Sequence, residues 1–193
     1  MVAPVPRAGL TRAVLAAGAA ELADQNGWSE LTLAAVAARF GVRQPSLYKH
    51  VSGLAELRRD VALLGGLELD SELAAAAVGK SGVDALQAMA DTYRTFAKKH
   101  PGRYAASVVA PAPGDTEYEQ AAIQLLHTLS AVLGQYGLSG DDEIHAIRGL
   151  RALLHGFVSL EAAGGFAMPL DLDESYHRLV DGFAASLARA DQL

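Results

Sequence analysis

Apolar residues recur at three- and four-residue intervals along most of the chain, the period of helices that bury one side. Val14, Leu15, Gly18 and Leu22 form such a stripe over 11–25, and Asn26-Gly27 supplies its stop. Leu33, Val36 and Ala37 repeat the pattern after Thr32, whose hydroxyl suits an N-cap. Phe40-Gly41-Val42 closes that short helix, because glycine accepts a left-handed backbone without a Cβ clash. Pro45 then fits the first turn of a second short helix, where its missing N–H is not required. Leu47 and Val51, four apart, point inward. Arg43, Gln44, Ser46, Tyr48, Lys49 and His50 are left outside. A donor-rich face on a short helix after a glycine turn is what a DNA-reading helix-turn-helix requires.

The same period predicts five further helices. One spans 54–69 through Leu54, Leu57, Val61 and Leu64, with Gly65-Gly66 as a soft point or a site of close packing. The next spans 83–100 through Leu86, Met89, Ala90, Tyr93, Phe96 and Ala97. Pro101 ends it, and 102–109 is a short apolar segment. A helix over 116–136 places Ile123, Leu126, Leu129, Ser130 and Leu133 inward. Another runs to 163 with apolar residues on more than one face, as in a central or subunit-contacting helix. The last covers 173–190. Residues 77–83 and 111–116 read as loops, no strand alternation is present, and no internal repeat is found. The expected fold is all-α: an N-terminal three-helix DNA-binding domain (1–53) and a larger helical domain (54–193).

Charge sharpens this picture. The chain carries a net −6, yet residues 1–59 hold seven Lys/Arg and four Asp/Glu, a balance of +3. Residues 60–193 hold nine and eighteen, a balance of −9. A basic head on an acidic body fits a local phosphate contact, which acts over about 8–10 Å. Arg7 and Arg12 sit where an N-terminal arm would reach a phosphate or a minor groove. Cysteine is absent, which removes disulfide and thiolate chemistry. No apolar run approaches the roughly 20 residues of a membrane helix, and MVAPVPRAGL does not read as a signal peptide. A cytoplasmic protein with no membrane partner is expected.

Thr32-x3-Val36-Ala37-x2-Phe40-Gly41-Val42, followed by Ser46-Leu47-Tyr48-Lys49-His50, resembles the DNA-binding motif of TetR-type transcriptional regulators. The resemblance implies that Arg43, Gln44, Pro45 and Ser46 approach base edges, and the chemistry agrees: Arg pairs with guanine and Gln with adenine. Tyr48, Lys49 and His50 would touch phosphates, as would Thr32 through its hydroxyl or the helix N-terminus. The bland readings are that Tyr48 packs the bundle and that Arg43 is a solvated charge. Such regulators frequently carry lysine where this sequence has Leu54, which removes the usual phosphate clamp and leaves Arg58 or Arg59 to replace it in part. Trp28 reads as cover for the heart of the three-helix unit.

For the body, the resemblance implies a homodimer formed by the last two helices and a pocket for a small, partly hydrophobic effector. Its candidate lining is Met89, Tyr93, Phe96, Tyr104, Leu126, His127, Arg148, His155 and Phe157, several of which could equally fill core. Leu154-His155-Gly156-Phe157 also resembles a Trp-His-Gly element of one branch of these regulators, with leucine in place of tryptophan. The implied function is that of a one-component repressor, released from palindromic double-stranded DNA when its effector alters the spacing of two recognition helices.

Enzyme chemistry has little support. His50, His100, His127, His145, His155 and His177 form no metal-ligand spacing, and neither GxSxG, GxGxxG nor GxxxxGK occurs. No metal, cofactor or catalytic residue is expected. The alternatives are an activator or a regulator answering to a protein partner, and an all-α binding protein or enzyme with an accidental motif.

Overall fold

The computed structural model describes residues 9–190. Helix α1 (Arg12–Asn26) starts where the Thr11 hydroxyl accepts the Val14 N–H at 3.2 Å, and buries Leu15, Ala19 and Ala23. Helix α2 (Leu33–Arg39) is capped in the same way by Thr32, which accepts from Ala35 N at 3.1 Å. At its C-terminus Gly41 takes a left-handed φ of 63°. Gly41 N donates to Ala38 O at 3.1 Å and Val42 N to Ala37 O at 3.0 Å, the paired bonds of a Schellman stop. The recognition helix, Gln44–Lys49, follows at once and has 3-10 geometry. Beyond it lie α3 (Leu54–Ala77), α4 (Gly82–Lys99), α5 (Pro101–Ser107), α6 (Thr116–Leu133), α7 (Gly140–Ala162) and α8 (Leu172–Ala190). A 3-10 turn, Gly134–Tyr136, extends α6 to Gly137. Among the described residues every regular element is helical.

The chain forms two compact units. The first contains the residues up to Glu68 together with Lys99–Ala121; the second contains Leu69–Lys98 and the residues from Ala122 on. The core of the first unit joins Leu15, Leu31, Val36, Phe40, Leu47, Val51, Leu57 and Val61, with Trp28 and Val42 packed against it. Two close approaches shape this unit. A Cβ on Gly102 would lie 2.5 Å from Ala23 O and Asp24 N, so the start of α5 rests directly on the backbone of α1. A Cβ on Gly65 would lie 2.7 Å from Arg103 O. Gly65 therefore serves close packing, while its neighbour Gly66 has open space. Asp24 ties the contact further, accepting from Arg103 N at 2.9 Å with His100 Nδ1 at 3.2 Å.

In the second unit the α4 stripe is buried as its spacing predicts: Leu86, Met89, Ala90, Tyr93, Phe96 and Ala97. Three expectations need correction. Helix α3 does not end at 69 but continues to Ala77, because Leu69 and Leu73 are buried and the alanines that follow sustain a helix. Residues 101–107 are a helix, with Pro101 opening α5 rather than only closing α4. Helix α6 departs in part from the expected stripe: Leu133 is buried and Leu129 and Ser130 are half-buried as expected, but Ile123 and Leu126 are exposed, whereas Tyr118, Ala121 and Val132 are buried. That helix is apolar on two sides, so period alone does not select a face. Tyr118, whose hydroxyl donates to Val109 O at 2.8 Å, belongs to the side that is buried.

Candidate nucleic-acid interface

Leu47 and Val51 anchor the recognition helix from below, at 0% and 2% exposure. Arg43, Gln44, Pro45, Tyr48 and Lys49 are exposed, and Ser46 and His50 half-buried. Tyr48, 53% exposed, is not packed into the bundle. Thr32 is exposed as well. Its oxygen accepts the Ala35 N–H, which leaves the hydroxyl proton to donate outward.

The remaining arginines of this unit are held internally. Arg12 forms a two-pronged pair with Asp60, Nε to Oδ2 and Nη2 to Oδ1 both at 2.6 Å, and its Nη1 reaches Glu56 at 2.6 Å. Arg59 holds Asp115 through Nε at 2.7 Å and Nη2 at 2.5 Å, touches Glu117 at 2.8 Å, and donates to Asp60 at 3.1 Å. The Arg59 guanidinium holds the Asp115 carboxyl down at about 2. Arg58 donates to the carbonyls of Ser29 and Leu31, both at 3.3 Å, with its guanidinium 5.3 Å from the Trp28 ring. Arg39 pairs with Glu21, and Arg103 reaches Glu68 at 3.1 Å. Arg58 and Arg59 are thus structural ties: they brace the segment that enters α2 and the segment that enters α6. In this arrangement both guanidiniums are already engaged within the chain, in place of the phosphate contact expected of one of them in the absence of a lysine at Leu54. Arg12, the first residue of α1, is likewise committed to Asp60 and Glu56, while Arg7 lies outside the described residues. The side chains of Arg43 and Lys49, by contrast, have no hydrogen-bond or ion-pair partner among the described residues.

Of the nine effector candidates, Tyr104 belongs to the first unit and is buried. The other eight lie in the second. Met89, Tyr93, Phe96 and Phe157 are buried, His155 is half-buried, and Leu126, His127 and Arg148 are exposed. Sequence reasoning passed over a charged cluster at this point. Arg94, 8% exposed, grips Glu161 with Nε at 2.8 Å and Nη2 at 2.7 Å and sends Nη1 to Asp173 at 2.7 Å. Its guanidinium lies 5.4 Å from the Phe157 ring and 5.0 Å from that of Tyr176. The fully buried Tyr176 donates its hydroxyl to Ala90 O at 2.5 Å, and burial raises its pKa. The available signal was position: Arg94 stands four residues after Ala90 and three before Ala97, on the buried stripe of α4.

Arg94 holds the Glu161 carboxyl down at about 2, against an ordinary 4.5. A depressed carboxylate contributes stability that is complete above its unfolded value and lost as pH falls toward the folded one. Acid titration between pH 5 and 2 is therefore expected to remove on the order of 3 kcal/mol through this group. Thermal melts of wild type and Glu161→Gln across that window check it, the variant showing the shallower pH dependence.

Two family descriptions match the chain: "Bacterial regulatory proteins, tetR family" over residues 15–60, and "Tetracyclin repressor-like, C-terminal domain" over 86–183. The first covers the helix-turn-helix just described. The chain is also 37% identical over 181 residues to the uncharacterized HTH-type transcriptional regulator Rv0681 of Mycobacterium tuberculosis, covering 93% of this chain and 83% of that protein. The chain belongs to the TetR family of transcriptional regulators. The uncharacterized HTH-type transcriptional regulator YobS of Bacillus subtilis is 36% identical over 94% of this chain and 95% of its own. Among solved structures, a Rhodococcus protein of unknown function superposes with a TM-score of 0.75 at 25% identity, covering 94% of this chain and 97% of that one. A TetR variant of Acinetobacter baumannii in complex with minocycline gives a TM-score of 0.70 at 20% identity, covering 95% and 99%. Membership of this family assigns the chain DNA-binding transcription regulation rather than an enzymatic activity. Among the described residues no helix is long and apolar enough to cross a membrane, and no group of three or more His, Cys, Asp or Glu is placed to hold a metal ion.

Proposed function

We propose that this TetR-family regulator is a cytoplasmic homodimeric repressor that binds a palindromic operator and is released by a small, partly hydrophobic effector. The observation that carries the DNA reading is the division of cations in the first unit. Its other described arginines are engaged by carboxylates and carbonyls of the chain, while the side chains of Arg43 and Lys49, at the two ends of the exposed recognition helix, have no partner among the described residues. In the proposed complex Arg43, Gln44, Pro45 and Ser46 meet base edges, and Thr32, Tyr48, Lys49 and His50 meet phosphates. Residues 1–53 read DNA, and 54–193 dimerise and bind the effector. Ile144 and Leu160 on α7 and Leu179 on α8 are exposed apolar side chains that support a subunit contact. Met89, Tyr93, Phe96, His155 and Phe157 are the effector candidates retained on the interior of the second unit.

Two recognition helices must enter major grooves about 34–36 Å apart. An effector that binds better to a differently spaced dimer shifts the population away from DNA. The test is an anisotropy titration of the full chain against DNA flanking its own gene, followed by a compound screen on the complex. Tight binding to one palindromic segment, released by a small molecule, is the expected outcome. A complex that only a protein partner dissolves, or one whose formation raises transcription, would replace this reading with the corresponding alternative.

A further inference from the structure

Three charged residues among the described ones are buried: Asp60, Asp70 and Arg94, at 7%, 8% and 8% exposure. Two of them are fully answered. Asp60 lies between Arg12 and Arg59, and Arg94 between Glu161 and Asp173. Asp70 is not. The single hydrogen-bond partner of its carboxylate among the described residues is Thr128, whose hydroxyl donates to Oδ1 at 2.6 Å, and no cation among them pairs with it. Oδ2 receives no donor, yet it is not one of the unpaired atoms that are completely enclosed. It therefore keeps contact with whatever enters from solvent.

The surroundings make this carboxylate costly. Leu69 and Leu73 on the same segment of α3 are buried, as is Val132, one turn beyond Thr128 on α6. Removing an ionised carboxylate from water is unfavourable unless a cation or several donors replace the lost hydration. A neutral hydroxyl on one oxygen does so only in part. The excess of nine negative charges over residues 60–193 would also draw cations toward this part of the chain.

We propose that Asp70, supported by Thr128, is the anchor for a ligand that joins an apolar body to a protonated amine. The ammonium N–H groups donate to Oδ2, and the apolar body is that of the partly hydrophobic effector proposed above. The inference rests on the effector reading above and gives that effector a chemical class. The Thr128 hydroxyl fixes the carboxylate so that Oδ1 is occupied and Oδ2 is presented.

The test uses three probes on one frame: 4-phenylbutylammonium, 4-phenylbutan-1-ol and 4-phenylbutanoate. Calorimetric titration of the full chain should show saturable binding of the ammonium, at least tenfold tighter than the alcohol, and the weakest binding for the carboxylate. Asp70→Asn should erase the preference for the ammonium. Removing a buried unpaired charge should leave the fold intact or raise its melting temperature. Equal binding of the three probes to wild type, absence of ammonium binding, or an unchanged preference in Asp70→Asn would each overturn the anchor. The wild-type comparison decides the matter even if the variant does not fold. Operator release separates this inference from the reading beneath it. If an uncharged or acidic compound releases DNA from wild type and Asp70→Asn alike, the effector reading stands and the amine anchor falls. If the ammonium binds through Asp70 while no small molecule changes DNA affinity, the anchor stands and the effector reading falls.

Discussion

Arg94→Ala is expected to destabilise the second unit by about 3–5 kcal/mol, because breaking a buried pair leaves an uncompensated charge behind. The stranded group is Glu161, whose side chain is 14% exposed and which retains only Lys98, at 3.2 Å. Asp173 loses a partner too, but at 73% exposure water replaces it at little cost. The same change removes a cation from beside the rings of Phe157 and Tyr176. For a chain of this size the loss corresponds to a fall in Tm of roughly 10 °C or more. A double variant, Arg94→Met with Glu161→Met, separates pairing from packing. It should recover most of the loss, since hydrophobic residues of similar volume often replace a buried ion pair without penalty. Thermal melts of the single and double variants measure the difference.

Gly102→Ala is expected to cost about 3 kcal/mol or more, at or above the upper end of overpacking losses. The obstacle is backbone: the new Cβ would sit 2.5 Å from Ala23 O and Asp24 N. Neither can swing aside as a side-chain tip would. To admit a methyl group, α5 must lift away from α1, and the Asp24 contacts with Arg103 and His100 stretch with it. Gly66→Ala is the internal control. It lies inside α3 with open space around it, so the added methyl should stabilise the helix by about 0.5–1 kcal/mol. Opposite signs for two Gly→Ala changes, read as melting temperatures, are the expected pattern.

Much of the architecture was legible because local periodicity and capping chemistry write it directly. The Thr32 cap, the Gly41 stop and the inward Leu47 and Val51 all follow from residues within one or two turns of each other. The α4 stripe is as plain. Legibility ended where the deciding partner is remote in sequence. Arg58 and Arg59 resemble phosphate contacts until Ser29, Leu31 and Asp115 are brought beside them, in the case of Asp115 from 56 positions away. Arg94 finds Glu161 across 67 positions, which no period within α4 encodes. The buried face of α6 was ambiguous for a related reason: apolar residues on two sides satisfy the same spacing, and only packing chooses between Leu126 and Val132.

The central claim is that the exposed face of Gln44–Lys49, with Arg43 before it, reads base sequence. Fluorescence anisotropy on the selected operator and on random DNA, over a series of salt concentrations, tests it most directly. Wild type, Arg43→Ala/Gln44→Ala and Lys49→Ala should be compared. The double variant should lose about 1–3 kcal/mol for each base contact removed, and with it most of the preference for operator over random DNA. Lys49→Ala should weaken both DNAs alike and lower the salt slope by about one. An Arg43→Ala/Gln44→Ala protein that still prefers the operator by the wild-type ratio would contradict the assignment.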